Sequence, residues 1–288
     1  MCSGGWPFST AAHGWPISDC TAEGVKALLA SARVVSGRGQ VEDDGASDSF
    51  DSSSERLNTA VSVLLALHNR GEGGWATYEK TRGWGWFEKF NPSEVFGDIM
   101  IDYCYVECTS ASITALARVL AQRDPRTERV AEMRAAIRRG KRFILSAQRA
   151  DGSWYGSWGC CFSYAAWFAI EGLVCEGGGS GDLDYTESNA IAAALSNGVR
   201  FLLAKQRSED GGWGEGFGSC HSKEYDDAPS TSVATSWALL ALLASKRVRR
   251  SARVREAVER GVAFLLAQME RRCVPQEYRY FTRILLTI

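Results

Sequence analysis

The sequence predicts an all-α protein, a stack of helix pairs closed into an α/α barrel of inner and outer helices. Three observations carry that prediction. A unit made of a helix, a glutamine and a Gly-x-Trp turn recurs along the chain. Between its copies lie helical patterns of two kinds, one small and apolar, the other charged and amphipathic. No alternating apolar–polar run is long enough to make a convincing strand.

The recurring unit is clearest in GKRFILSAQRADGSW (140–154) and GVRFLLAKQRSEDGGW (198–213), which align almost residue for residue. Each begins with Gly, has Phe143 or Phe201 three residues on, reaches Gln148 or Gln206 five residues later, and closes an acidic-Gly turn on Trp154 or Trp213. A degenerate copy, AVSVLLALHNRGEGGW, ends at Trp75. A fourth, GVAFLLAQMERR, begins at Gly261, has Met269 in the place of the Gln, and never reaches its Gly-x-Trp. In this unit an amphipathic helix ends at a glycine turn. The Gln amide can bond backbone at a neighbouring helix end, and the Trp can pack over that end. The unit clamps helices together and performs no chemistry.

The remaining elements follow in chain order. CTAEGVKALLASARV (20–34), CTSASITALARVLAQ (108–122), YAAWFAIEGLV (164–174) and STSVATSWALLALLAS (230–245) are Ala/Ser- and aliphatic-rich helices, two of them opening on Thr or Ser suited to an N-cap. They form the buried inner layer. AEMRAAIRRGKRFILSAQ (131–148) and ARVREAVERGVAFLLAQ (252–268) carry a charged face and belong to the outer layer. VVSGRGQVEDDGASDSFDSSSE (34–55) reads as a flexible surface loop and GGGSGDLD (177–184) as a shorter linker. Residues 269–288 form an atypical tail, and 1–288 together make a single, partial α/α-barrel domain.

Composition excludes several classes. A formal net charge of −1 gives no electrostatic reason to expect nucleic-acid binding. No uncharged apolar run reaches the ~18 residues of a transmembrane helix. The segment MCSGGWPFSTAAHGWP lacks the basic and apolar regions of a signal peptide. The cysteines number 9, an odd count in a large chain, which suits buried free thiols in a reducing compartment rather than a disulfide framework. Cys104 with Cys108, and Cys220 with His221, invite a zinc reading, but 3 histidines and no second pair at finger spacing assemble no four-ligand set. The 10 Trp, 12 Phe and 9 Tyr are core by default; with few histidines and no metal motif, the surplus also suits a cavity for an apolar or cationic ligand.

With DCTAE (19–23), GGWATYE (73–79), NPSEVFGDIMIDY (91–103), YVECTSA (105–111) and GSWYGSWG (152–159) in view, the chain resembles the oxidosqualene cyclases, in the family's order, from about Gly5 to about Gln268. The Gln-Trp units are shared with bacterial squalene–hopene cyclases, whereas DCTAE followed by ECTS is specific to the oxidosqualene branch. The resemblance implies the C-terminal one of two α/α barrels, with PQE the one stretch of the tail similar to the family's continuation. It implies a proton-initiated carbocation cyclisation of 2,3-oxidosqualene to a tetracyclic sterol precursor, an intramolecular rearrangement without a cofactor. It further implies monotopic association with the endoplasmic reticulum membrane or lipid droplets on the cytosolic side.

Site residues follow from the same resemblance. Asp19 is the proton donor, and Cys20 and Cys108 are its hydrogen-bonding supports. An epoxide is a weak base, so the donor must be a strong acid that is still protonated when substrate arrives. A carboxyl in a dry apolar cavity meets that need, and thiols orient it without adding a competing base. Trp158 and Phe8 line the cavity and stabilise cations, and Tyr78 lies near the ring-closing and deprotonation region. His13 and Ile17, in HGWPISDCTAE, resemble family members that form cycloartenol; those that form lanosterol typically have Val at the second position and lack His at the first.

Without the resemblance, Asp19 would be a helix N-cap, Cys20 and Cys108 inert buried thiols, and the aromatics core. Glu23, four residues beyond Asp19, supports the helix dipole. Two other classes compete: a non-catalytic fragment that keeps barrel helices without enclosing substrate, and another α/α-barrel enzyme. A glycoside hydrolase would need a second cavity carboxylate, for which Glu107 and Asp102 are candidates that the sequence does not pair with Asp19. A prenyltransferase would need a zinc ion.

Overall fold

The computed structural model describes residues 4–8, 10, 12, 14–37, 46–93, 97–122, 128–157, 161–176, 185–248 and 250–271, with the side chains of 32–37, 46–54 and 271 excepted. Its inner layer consists of α1 (Ser18–Gly37), α3 (Val106–Ala121), α5 (Ser163–Val174) and α8 (Ser232–Ala244). The outer layer consists of α2 (Ala46–Leu67), α4 (Val130–Ser146), α6 (Tyr185–Lys205) and α9 (Ala252–Arg271). A 3-10 turn (Gly85–Phe90) and the short α7 (Gly218–Ser222) lie in the connections. Inner helices pack in series, α1 on α3, α3 on α5 and α5 on α8, and α2, α4, α6 and α9 back them in the same order. This is the two-layered, all-α barrel arrangement.

Small side chains let the inner helices approach closely. Ala111 and Ala115 of α3, Ala165 and Ala169 of α5, and Ala238 of α8 are all buried. Two hydroxyls of α3 find partners inside the layer: Ser110 Oγ donates to Phe168 O at 2.5 Å, and Thr114 Oγ1 to Ser110 O at 2.8 Å. Such pairing keeps a buried hydroxyl from costing stability. Outer helices bury one stripe only. In α4 that stripe is Met133, Ala136, Ile137, Gly140, Lys141 and Ile144, at helical spacing. Lys141 keeps its ammonium satisfied by donating to Cys175 O at 2.7 Å.

The repeated unit works as a clamp with three arms. The indole Nε1–H of Trp75, Trp154 and Trp213 donates to Leu64 O, Ile144 O and Leu202 O at 2.7, 2.8 and 2.8 Å, engaging the last turn of α2, α4 and α6. The ring then lies over the glycine of the next outer helix. A Cβ placed on Gly198 would sit 2.5 Å from Trp154, and one on Gly261 would sit 2.8 Å from Trp213. Gln148 Nε2 bridges its own turn to that same helix, donating to Gly152 O at 3.0 Å and Ala194 O at 2.9 Å. Gln206 repeats the bridge to Gly211 O and Ala257 O at 2.7 and 2.8 Å. In the degenerate copy His68 takes the Gln position and meets Gly73 O at 3.1 Å.

The third arm reaches the inner layer and shows a copy missed in the sequence. Tyr105 N donates to Trp75 O at 3.0 Å and Trp75 N to Thr109 Oγ1 at 3.0 Å. Thr231 N and Thr235 Oγ1 treat Trp213 alike, at 2.9 and 3.0 Å. Ile17 N and Thr21 Oγ1 do so for Trp6, at 2.9 and 3.0 Å, so Gly4-Gly5-Trp6 closes a further unit whose helix is not among the described residues. At α5 the pattern is replaced: Glu215 accepts from Phe162 N at 2.9 Å and Ser163 N at 3.0 Å and serves the orphan amides of that helix start. Thr231 is an N-cap of the kind the sequence suggests, accepting from Ala234 N at 3.1 Å.

One expectation needs correction. The segment 34–55 is not a loop at either end: α1 runs through Gly37 and α2 begins at Ala46. Val61, Leu64 and Leu65 are buried on α2, which packs against α1. The central residues 38–45, the linker 177–184 and the tail beyond Arg271 lie outside the described residues.

Gly198→Ala forces a methyl against the Trp154 ring and is expected to destabilise the fold by about 1–3 kcal/mol, the usual cost of overpacking. Urea unfolding checks this; an unchanged midpoint would mean that the ring and helix α6 are not held in register.

Candidate active site

The turn after Trp75 places the site. Ser18 N donates to Thr77 O at 2.9 Å and Ser18 Oγ to Ala76 O at 2.6 Å, which fixes the start of α1. The same turn receives Tyr105 N and holds Thr109, which fixes the start of α3. Two helix N-termini are therefore tied to residues 73–77, and Asp19-Cys20 is brought alongside Glu107-Cys108. The turn itself is locked by Asp102, whose Oδ1 accepts from Thr77 N at 2.9 Å and whose Oδ2 accepts from Tyr78 N at 2.5 Å and Glu79 N at 3.0 Å. Asp102 is thus committed to backbone and is not a partner for Asp19.

A cavity of about 440 Å³ opens at this junction, lined by Trp6, Pro7, Asp19, Cys20, Glu23, Gly24, Ala27, Glu107, Ala111 and Phe168. Apart from the acids and one thiol, that lining is apolar. Asp19 Oδ1 accepts from Cys20 N at 2.7 Å, a contact that favours the carboxylate. Burial outweighs it, and the Asp19 carboxyl stays protonated to higher pH than an ordinary aspartic acid. Cys20 is pushed up to about 11, first by burial and then by the charge of Asp19. Cys108 is buried, meets Thr77 Oγ1 at 3.8 Å, and is raised well above an ordinary thiol by burial, with Asp19 and Glu107 adding to it. Both sulfurs are therefore S–H groups at neutral pH, able to donate to a carboxylate and unable to act as bases.

Glu107 is the functional group that the sequence left unpaired. Only 5% exposed, it lines the same cavity as Asp19. Its Oε1 accepts from Ser157 N at 2.9 Å and from Tyr164 OH, while its Oε2 is buried with no partner among the described residues. Burial does most to push its pKa up, and the Asp19 charge adds to this. No sequence pattern could have found this pairing, because α1 and α3 are far apart in the chain and are brought together only by the fold.

The other expected site residues are distributed differently. Ile17 is buried directly before α1, with its N–H on Trp6 O. Phe8, 75% exposed in the segment leading to α1, and Tyr78, 40% exposed beside the Asp102 clamp, are not among the side chains lining the cavity. His13 and Trp158 lie outside the described residues. The aromatic wall that the structure does show is Trp6 with Phe168. Phe168 stacks in turn with Trp167, Tyr164 and Trp237, at centroid distances of 4.6, 5.7 and 6.4 Å. Its signal was the aromatic run inside YAAWFAIEGLV, which on sequence alone reads as core.

Residues 1–283 match the family described as the squalene-hopene cyclase C-terminal domain. The chain is 46% identical over 264 residues to a cycloartenol synthase of Dictyostelium discoideum, covering 91% of this chain and 33% of that protein. It is 44% identical over 267 residues to a lanosterol synthase of Homo sapiens, covering 92% of this chain and 33% of that one. The chain thus spans about a third of the length of these relatives. Among solved structures it is similar to the type II terpene cyclase MstE from Scytonema, with a TM-score of 0.55 at 18% identity over 92% of this chain and 58% of that one, a likeness of fold.

The raised pKa of Asp19 has a consequence for stability. Because the folded value lies above the unfolded one, the contribution of Asp19 is fully present below about 3.8 and is lost as pH rises through the folded value. Asp19→Asn cannot ionise and keeps an oxygen for Cys20 N. It is expected to raise the melting temperature at neutral pH and to lose that advantage as the pH is lowered, which thermal unfolding across a pH series would show. An equal gain at every pH would mean that Asp19 is not held neutral by burial.

Proposed function

We propose, on the footing that this chain belongs to the squalene-hopene cyclase C-terminal domain family, that it supplies the acid wall of an oxidosqualene cyclase. The observation that carries this is the Asp19 carboxyl, beside Cys20 in a largely apolar cavity whose burial favours its protonated form, with the buried Cys108 at the start of the neighbouring α3. Asp19 gives its proton to the epoxide oxygen of 2,3-oxidosqualene as the C–O bond breaks, and the double bonds of the chain close on the cationic carbon in succession. The carboxylate left behind gains hydrogen bonds from the two S–H groups as its charge appears, which lowers the barrier because the donors already stand in place. Aromatic faces stabilise the moving cation without trapping it, at about 0.5–2 kcal/mol per contact. Trp6 and Phe168 offer such faces here, and Trp158, Phe8 and Tyr78 are assigned that part from the family resemblance.

Cycloartenol is the favoured product and lanosterol the next. The family resemblance at Ile17 supports this choice: it is buried two residues before the acid, with one methyl more than Val in the wall behind Asp19. Association with the endoplasmic reticulum membrane or lipid droplets is part of the same proposal. Its support is the exposed aromatic group Trp84, Trp86 and Phe90 on the 3-10 turn, residue types suited to a bilayer interface. Among the described residues no helix is long and apolar enough to cross a membrane.

The coverage of about a third of each relative favours a second reading, in which the chain folds as barrel helices without cyclising substrate. Incubation of the purified chain with 2,3-oxidosqualene, followed by mass spectrometry of tetracyclic alcohols, separates the two. The first reading expects product that Asp19→Asn abolishes and that Cys108→Ala lowers about 10- to 100-fold, the equivalent of one hydrogen bond to a charged group. A folded chain that yields no alcohol supports the second. Replacing both Trp84 and Trp86 with Ala is expected to weaken co-sedimentation with phospholipid vesicles; unchanged sedimentation would remove this surface from the membrane proposal.

A further inference from the structure

We propose that Glu107 is a second, neutral acid of the cavity, carrying its proton on Oε2 and forming with Asp19 a carboxyl pair that holds no more than one negative charge. The role given to the pair rests on the reading of Asp19 as proton donor; the protonation of Glu107 does not. Hydrogen-bond geometry decides where the proton sits. Oε1 already accepts from Ser157 N and from Tyr164 OH, which fills its acceptor sites. Oε2 is buried and has no partner among the described residues. A carboxylate there would leave charge on a buried oxygen with no donor among the described residues, whereas a carboxylic acid leaves only a buried, uncharged O–H.

The surroundings agree. The groups facing Glu107 are Asp19, Cys20 and Glu23 from α1, Cys108 on its own helix α3, and Tyr164 from α5. Among the described residues, none of these groups and none of the cavity-lining side chains is a cation. Glu23 differs in that Lys26 lies 2.5 Å from it and answers its charge. Burial, with Asp19 adding to it, pushes Glu107 up in the same direction as Asp19 itself.

A function follows for a group that touches no reacting atom. Once Asp19 has given up its proton, a carboxylate at Glu107 would repel the new charge and make Asp19 a weaker acid. A neutral Glu107 removes that penalty, and its Oε2–H offers a donor to an oxygen within the cavity. Glu107 is accordingly a positioning residue that acts through Asp19.

Difference infrared spectroscopy of the whole 288-residue chain in heavy water, titrated from acid to alkaline pH, tests this without substrate. The protein is expected to keep a protonated-carboxyl band at neutral pH that Glu107→Gln removes. In Asp19→Asn the midpoint of that band is expected to move to lower pH, because a neighbouring negative charge has gone. In Tyr164→Phe it is expected to move to higher pH, because a donor that favours the carboxylate has gone. The last two variants assign the band even where Glu107→Gln does not fold. No protonated-carboxyl band at neutral pH beyond that of Asp19, or a midpoint indifferent to Asp19→Asn, would overturn the proposal. Neither outcome bears on turnover, so failure of the cyclisation assay and failure of this test are separate results.

Discussion

Everything in this fold hangs on the hydrogen-bonded tryptophan turn. An indole N–H reaches back to a carbonyl in the last turn of one outer helix, its ring covers a glycine of the next, and its backbone engages the start of an inner helix. One residue thereby fixes three helix positions, and it does so from a fully buried site where no water competes for its polar atoms. The glycines at 198 and 261 are required by the same contact, since any side chain would enter the ring. Where the pattern lapses, another polar group takes over, as Glu215 does at the start of α5.

The placing of Asp19 beside Glu107 is a by-product of that clamp. Because the Trp75 turn holds the starts of both α1 and α3, the first-turn residues of two helices distant in sequence share one wall. First-turn positions would ordinarily favour ionised acids. The cavity reverses this preference at Asp19 and Glu107 by taking away the water that would solvate a charge. Glu215 makes the contrast plain. It too is raised by burial, yet both its oxygens are occupied by the donors of α5, so it serves as a structural cap. Asp102 is likewise used up by three backbone amides. The acids available for chemistry are those whose donors run out.

This cavity works against stability, as active sites often do. Two carboxyls and two thiols are kept from their ordinary solvation, and the barrel carries that burden through its apolar inner layer. It explains why sulfur rather than nitrogen flanks Asp19. An imidazole or amine beside it would pair with the acid and draw off its proton, whereas thiols with raised pKa values stay S–H donors and offer no base.

The sequence by itself determined the helical class, the two layers and the clamp residues, because amphipathic period, glycine and tryptophan act locally and leave a readable pattern. It also put forward Asp19, Cys20 and Cys108 as a set through the motifs that contain them. It misjudged 34–55, where Ser and Asp read as loop although helices α1 and α2 extend into the segment from both sides. Only the tertiary structure decided that Glu107 joins Asp19 while Asp102 does not, and that Phe168 reaches the cavity wall. The reason is physical: ionisation and pairing depend on which donors and how much water reach a carboxyl, and those are set by contacts between helices tens of residues apart in the chain.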